Sequence, residues 1–248
     1  ARALYPGRKP ATLARQLYTP LTAILRHAAA SGLCDPPSFR KPRLPPGKTR
    51  WLTHDEAERL IAACDKGLRH LRPLVMLMLY TGARAGEALS LDWRDVDLAR
   101  AHVVFRETKN GETRGVPLHP RLVEALAGLK HRAGRVFRNR LGRPYALVEG
   151  GGSPIAAAFA SAASRARVTP LTPHDLRHTW ATWHYQANRD LTALQRLGGW
   201  KTPSMVFRYA HANVDEFAAT IARLPGGKLG DAPNLIAIKA LKSASNRR

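Results

Sequence analysis

Along the first stretch of the chain, apolar residues recur at Leu13, Leu17, Leu21, Ile24 and Ala28. Steps of three and four place them on one side of a helix, so an amphipathic helix is the first element predicted. Pro20 lies inside the stripe and should kink it or split it in two, because it lacks the N–H a helix interior needs. A stretch of different character follows. Between Asp35 and Arg50 stand five prolines, little apolar content, and the cations Arg40, Lys41, Arg43 and Lys48 ahead of Arg50 itself. That composition suits an extended basic linker, and equally a plain surface loop. Thr53-His-Asp-Glu56 then has the form of a capping box, so a new helix opens there and carries Leu60, Ile61 and Cys64.

The next helix, about Leu71 to Tyr80, is apolar nearly all round, which predicts a place at the centre of the core. His102 to Lys109 and Thr113 to Leu118 read as two strands flanking Asn110-Gly111, a strong hairpin dipeptide. Helical patterns return at Arg121–Lys130, Pro154–Arg167, Pro173–Ala187, Leu191–Leu197, Pro203–His211 and Val214–Leu224. The tail after Pro225 opens on Gly-Gly, carries one apolar patch from Leu235 to Leu241 and ends basic, as either a disordered end or a segment docked on a neighbouring subunit. No internal repeat is found. The predicted architecture is mainly α with one small antiparallel β-sheet, an α+β fold. Its organisation is a helical segment over 1–34, a basic linker over 35–50, the main domain over 51–224 and a tail over 225–248.

Charge narrows the partner. The chain carries 40 Lys and Arg against 18 Asp and Glu, a formal net charge of +22. A field of that sign attracts polyanions, of which nucleic acid is the densest. The longest apolar run, Leu74 to Tyr80, is too short to span a bilayer, and Ala1 to Pro10 lacks the apolar centre of a signal peptide. Cys34 and Cys64 are too few for a disulfide framework or a zinc knuckle, which points to the cytoplasm.

The helix opening at Pro173 holds the densest candidate chemistry. At about 100° per residue, His174, Arg177, His178, Ala181 and Tyr185 share one face, while Leu176, Trp180, Trp183 and Ala187 share the other. Thr172-Pro173 caps the helix and leaves His174 in the first turn, where anions are favoured. The same row also fits a solvated basic face. Two other patterns lead nowhere. His174-Asp-Leu-Arg-His178 resembles a zinc-protease motif, yet Asp175 stands where the base must be Glu and no third ligand is evident. Gly47-Lys48-Thr49 fails as a phosphate loop because Pro42 replaces its first glycine. With no spaced carboxylate cluster either, what remains is chemistry on phosphate without metal or nucleotide, and no cofactor is expected. Such chemistry needs arginines to grip phosphate oxygens, a nucleophile, and a proton for the leaving oxygen. Arg84, in Thr81-Gly-Ala-Arg-Ala-Gly-Glu87, and Arg177 supply the grip; Lys109 at the hairpin tip can supply the proton; Tyr209 follows in Met205-Val-Phe-Arg-Tyr-Ala-His211.

Tyr80-Thr-Gly-Ala-Arg-Ala-Gly-Glu-Ala-Leu, Thr-Lys-Asn-Gly, Pro173-His-Asp-Leu-Arg-His-Thr, Leu197-Gly-Gly-Trp-Lys and Arg208-Tyr-Ala-His together resemble the successive signatures of the tyrosine recombinase, or phage integrase, catalytic domain. The likeness runs from about Thr53 to Leu224. It implies site-specific DNA recombination through a 3′-phosphotyrosine on Tyr209, for integration or excision of a mobile element. It makes Arg84 and Arg177 the phosphate clamp, Lys109 the general acid, His174 the aid to proton movement at the nucleophile, and Trp200 a phosphate donor through its indole N–H. Glu87 becomes a supporting acid and His178 a structural neighbour. Arg40, Lys41, Arg43, Lys48, Arg50 and Arg208 become candidate DNA contacts. The partners implied are double-stranded DNA and three further copies of the chain, a homotetramer on paired sites. The pattern departs at the N-terminus, where only residues 1–34 stand in place of the helical core-binding domain. Two other uses stay open: strand cleavage and resealing like a type IB topoisomerase, and a DNA-binding remnant without turnover.

Overall fold

The computed structural model describes residues 5–35, 38, 42, 44, 50–65, 67–106, 113–146 and 153–210. Two compact units divide the chain, Ala1–Thr49 and Arg50–Arg248.

In the first unit, α1 (Pro10–Leu13) runs through one π-helical stretch, Ala14–Tyr18, into α2 (Thr19–Ala30). The wide turn is how the predicted helix accommodates Pro20: the chain loosens just ahead of the residue that cannot donate, and the Thr19 hydroxyl donates to the Ala14 carbonyl at 2.8 Å. Leu21 and Ile24 of the apolar stripe are exposed.

The second unit is built on α4 (Arg72–Thr81), in which every residue from Pro73 to Leu79 is buried. Around it pack α3 (His54–Ala63), α5 (Ala85–Ser90), α6 (Pro120–Ala127) and α8 (Pro173–Asn188), while α7 (Ala156–Arg165) packs on α3. The capping box at α3 forms as read: the Glu56 N–H donates to the Thr53 hydroxyl at 3.2 Å and the Thr53 N–H to the Glu56 carboxylate at 2.9 Å. Gly82, in the left-handed region at φ +64°, ends α4.

Three antiparallel strands in the order β1 (Val96–Asp97), β2 (His102–Phe105), β3 (Arg114–Pro117) form the sheet. The hairpin pairs Phe105 with Arg114 and Val103 with Val116, and these four side chains are the buried ones. Its tip, including Lys109, lies outside the described residues. Sequence reading leaves out β1, whose two residues are too few for an alternation to register.

α8 departs from the two-faced picture. Trp180 does not sit on a supporting face away from the site; its ring stacks on Trp200, 6.1 Å between centroids, while Trp183 stacks on His54 and donates to the Leu52 carbonyl at 3.1 Å. After α9 (Leu191–Gly198), the helix predicted over Pro203–His211 is instead two 3₁₀ turns, Pro203–Met205 and Phe207–Tyr209. Val206 and Tyr209 are both buried, and their spacing of three puts them on one side of a 3₁₀ turn as it would of an α-helix. The helix predicted at Val214–Leu224, and the tail, lie outside the described residues. No helix of the described residues is long and apolar enough to cross a membrane.

Candidate active site

Two glycine-bearing turns meet over α8. The first, after α4, leaves Arg84 extended at the N-cap of α5, with Glu87 one turn inside. The Arg84 N–H donates to Glu87 Oε2 at 3.0 Å, and its guanidinium to Oε1 at 2.5 Å. Glu87 therefore caps the helix and restrains the arginine with the same carboxylate. The second turn closes α9 at Gly198 and Gly199. Its carbonyls, left without helical partners, take up guanidinium N–H groups: Arg177 donates to Gly198 O at 2.7 Å and Arg84 to Gly199 O at 3.4 Å. The other arm of Arg177 donates to Gly82 O at 2.7 Å, so this arginine, 2% exposed, ties both turns to α8. Its guanidinium lies 4.0 Å over the Trp200 ring. Burial first, then the like charge of Arg84, pulls its pKa down to about 9, which leaves it a cation at neutral pH.

Tyr209 faces the same side of α8. It is 7% exposed, and its hydroxyl lies 2.6 Å from His178 Nδ1. His174, exposed one turn earlier, meets the His178 ring edge-on at 4.8 Å between centroids. Burial, then His174, lowers the His178 pKa to about 4, so the ring is neutral at pH 7, and in the tautomer protonated at Nε2 its Nδ1 accepts the phenol proton. Burial raises the Tyr209 pKa and outweighs the charges of Arg177 and Arg208, which act to lower it. A paired His and Tyr beside two clamped arginines, on five signatures in this order, leaves the comparison with known proteins to decide.

The profile of the phage integrase family matches residues 50–216. The chain belongs to the phage integrase family. It is 32% identical over 188 residues to the integrase of Salmonella phage P22, which covers 71% of this chain and 47% of that protein. The catalytic domain of bacteriophage HP1 integrase superposes with a TM-score of 0.54 at 26% identity, covering 73% of this chain and 99% of that one. The Tn1549 transposon integrase, solved in complex with transposon right end DNA, shares the fold with a TM-score of 0.72 at 20% identity, covering 90% of this chain and 82% of that one. The chain spans about half the length of the curated integrases it matches first.

In this chain Arg84, Glu87, His174, Arg177, His178, Trp200 and Tyr209 gather at one place, while Lys109, Arg40, Lys41, Arg43 and Lys48 lie outside the described residues. Arg50 is held by Glu56 at 2.7 Å, and Arg208 is exposed next to the nucleophile candidate. One point differs from the sequence reading. His178, read as a structural neighbour, is the ring on the Tyr209 hydroxyl, and His174 stands behind it. Two contributors went unread: the carbonyls ending α9, and Arg114, 7% exposed, which pairs with Glu87 at 2.7 Å. A charged residue at an inward position of a strand was the available signal for Arg114.

Two expected outcomes concern this site alone. A Cβ on Gly198 would overlap the six-membered ring of Trp200. Gly198→Ala should therefore cost about 1–3 kcal/mol, as overpacking does, and should displace Trp200 from Arg177. Urea unfolding and tryptophan fluorescence read both; an unchanged midpoint and spectrum would contradict the packing. The second outcome concerns acid. The folded His178 pKa, near 4, lies below the ordinary unfolded value of about 6.5. Between those values the unfolded chain holds a proton that the folded one does not, so stability present at neutral pH is lost as pH falls through that window. The contribution is roughly 3 kcal/mol. His178→Gln should flatten the acid limb of stability against pH, and an identical limb in both proteins would refute it.

Proposed function

We propose that this chain cleaves and rejoins double-stranded DNA at specific sites through a covalent 3′-phosphotyrosine on Tyr209. The observation that carries the reading is the contact of 2.6 Å between the Tyr209 hydroxyl and neutral His178, beside the guanidiniums of Arg84 and Arg177. Membership of the family, the charge of +22 and the DNA-bound Tn1549 relative support DNA as the substrate.

In this mechanism the scissile phosphate enters between Arg84 and Arg177, whose remaining N–H groups take its non-bridging oxygens. The phenol proton passes to His178 Nδ1, with His174 behind it. The phenolate oxygen attacks phosphorus, the P–O5′ bond breaks, and Lys109 protonates the departing 5′-oxygen. Trp200 contributes its indole N–H to a phosphate oxygen and its ring face to Arg177. Burial keeps the phenol neutral at rest, and the bound phosphate is what brings the remaining groups to bear. Rejoining is the reverse: a 5′-hydroxyl attacks the phosphotyrosine and Tyr209 recovers its proton, so the bond energy is conserved without ATP.

The wider assignment is also ours. Residues 51–224 act as the catalytic domain, 1–34 as part of a core-binding segment, 35–50 as a basic linker with Arg40, Lys41, Arg43, Lys48 and Arg50 along DNA, and 225–248 as a tail. Arg208 adds a DNA contact at the site. The working assembly is a homotetramer on paired sites in the cytoplasm, and the outcome is integration or excision of a mobile element. The test is covalent trapping: labelled DNA from the element's junction, nicked so that the cleaved end diffuses away, should remain on the protein in denaturing detergent. Tight binding with no retained label would mark the chain as a DNA-binding piece without turnover.

A further inference from the structure

Arg114 lies off the proposed phosphate path but at the centre of the network behind it. It opens β3 on the buried face, with its guanidinium 4.5 Å over the Phe105 ring. One arm donates to Glu87 Oε2 at 2.7 Å and another to the Leu197 carbonyl at 2.5 Å. Three consecutive carbonyls at the end of α9 thus hold three different arginines: Leu197 takes Arg114, Gly198 takes Arg177 and Gly199 takes Arg84. The Glu87 carboxylate stands among these cations and is shared between Arg84 and Arg114.

That sharing sets how much charge Arg84 can present. A carboxylate facing one guanidinium alone closes a bidentate fork, the strongest geometry available to the pair. Such a fork would neutralise Arg84 and fix its N–H groups on protein. Arg114 opposes this by donating to Oε2, which it shares with the Arg84 backbone N–H. It also pins the Leu197 carbonyl, and so the turn from which Gly198 and Gly199 reach Arg177 and Arg84. We infer that Arg114 is a positioning residue, which draws off one oxygen of Glu87 and anchors the end of α9, so that Arg84 is held by Glu87 through a single oxygen and keeps N–H groups for the phosphate beside Arg177. The inference rests on the cleavage reading given above, which makes those two arginines the clamp.

The test compares wild type, Arg114→Met, Arg114→Lys, Glu87→Gln and the Arg114→Met/Glu87→Gln double variant. Single-turnover cleavage of nicked DNA at saturating protein is one readout. The Nε–H NMR signal of Arg84 in the DNA-free protein, assigned by its loss in Arg84→Lys, is the other. Arg114→Met should slow cleavage about 100-fold, the scale of one lost electrostatic group, with much less change in DNA affinity, and should shift the Arg84 signal. The double variant should cleave faster than Arg114→Met and return the signal toward wild type, because a neutral amide in place of the carboxylate cannot capture Arg84. A purely structural role predicts losses that add, with no rescue. If Arg114→Met does not fold, Arg114→Lys serves: it keeps the charge but cannot bridge both acceptors, so its rate falls in between and the Arg84 signal still moves. A double variant no faster than Arg114→Met overturns the inference, and so does an Arg84 signal indifferent to position 114. If wild type itself forms no covalent adduct, the cleavage reading fails, whereas the NMR comparison still decides whether Arg114 orients Arg84.

Discussion

Tyr209→Phe should abolish covalent retention of DNA altogether while leaving DNA binding and the fold in place. The substitution removes one oxygen and nothing else of the ring, which packs against Trp200 at 5.6 Å between centroids. The packing of the second apolar cluster, Trp180, Ala181, Tyr185, Leu194 and Val206, is therefore preserved. The loss falls on the hydrogen bond to His178, whose half-buried Nδ1 is left without its partner. An unmade bond of this kind costs about 1–3 kcal/mol, so the variant should melt lower yet stay folded. Its binding should keep the wild-type dependence on salt, because the phosphate contacts are untouched. Label still fixed to the Phe protein in denaturing detergent would remove Tyr209 from its role and redirect the search to another nucleophile.

Arg177→Met is expected to have the second largest effect, and on two quantities at once. Met matches the length of the arginine stem but supplies no donor. Single-turnover cleavage should fall by about 10²–10³-fold, the scale seen when one donor to a developing oxyanion is removed. Stability should fall as well, because the carbonyls of Gly82 and Gly198 lose their partner in the interior. Each unsatisfied carbonyl costs about 1–3 kcal/mol, but the variant also sheds the burial of a cation and its repulsion from Arg84. Replacing a buried charge by an apolar side chain recovers part of such costs. The net destabilisation should therefore be about 1–3 kcal/mol. Urea unfolding measures it, and a fall in cleavage with no fall in stability would show that Arg177 does not tie the two turns together. Arg177→Lys should recover little of either, since an ammonium cannot reach two carbonyls set for a planar fork.

Much of this was legible along the chain, where it depended on local rules. The capping box at Thr53 and Glu56, the largely apolar α4, the antiparallel hairpin and the start of α8 at Pro173 all follow from periodicity and cap chemistry. The family signatures located Arg84, His174, Arg177, Trp200 and Tyr209 by order and spacing. Local reading stops short elsewhere. Pro203 to Tyr209 has no feature of its own that tells a 3₁₀ turn from an α-helix, since Val206 and Tyr209 share a face in either. Trp180 reads as belonging to the face opposite His174 and Arg177, whereas its ring stacks on Trp200.

By itself, then, the sequence determined most of the helices and the β2–β3 hairpin, which residue types stand ready for phosphate chemistry, and which family the chain resembles. Only the tertiary structure decided which partners those residues take. It gave the Tyr209 hydroxyl to His178, made the phenol a buried neutral group, placed Arg114 behind Glu87, and turned the end of α9 into a rack for three guanidiniums. The physical reason is that hydrogen-bond partners and desolvation depend on side chains distant in sequence. Arg177 lies 95 positions from Gly82 and Arg114 lies 83 from Leu197, separations at which no periodicity or motif carries information.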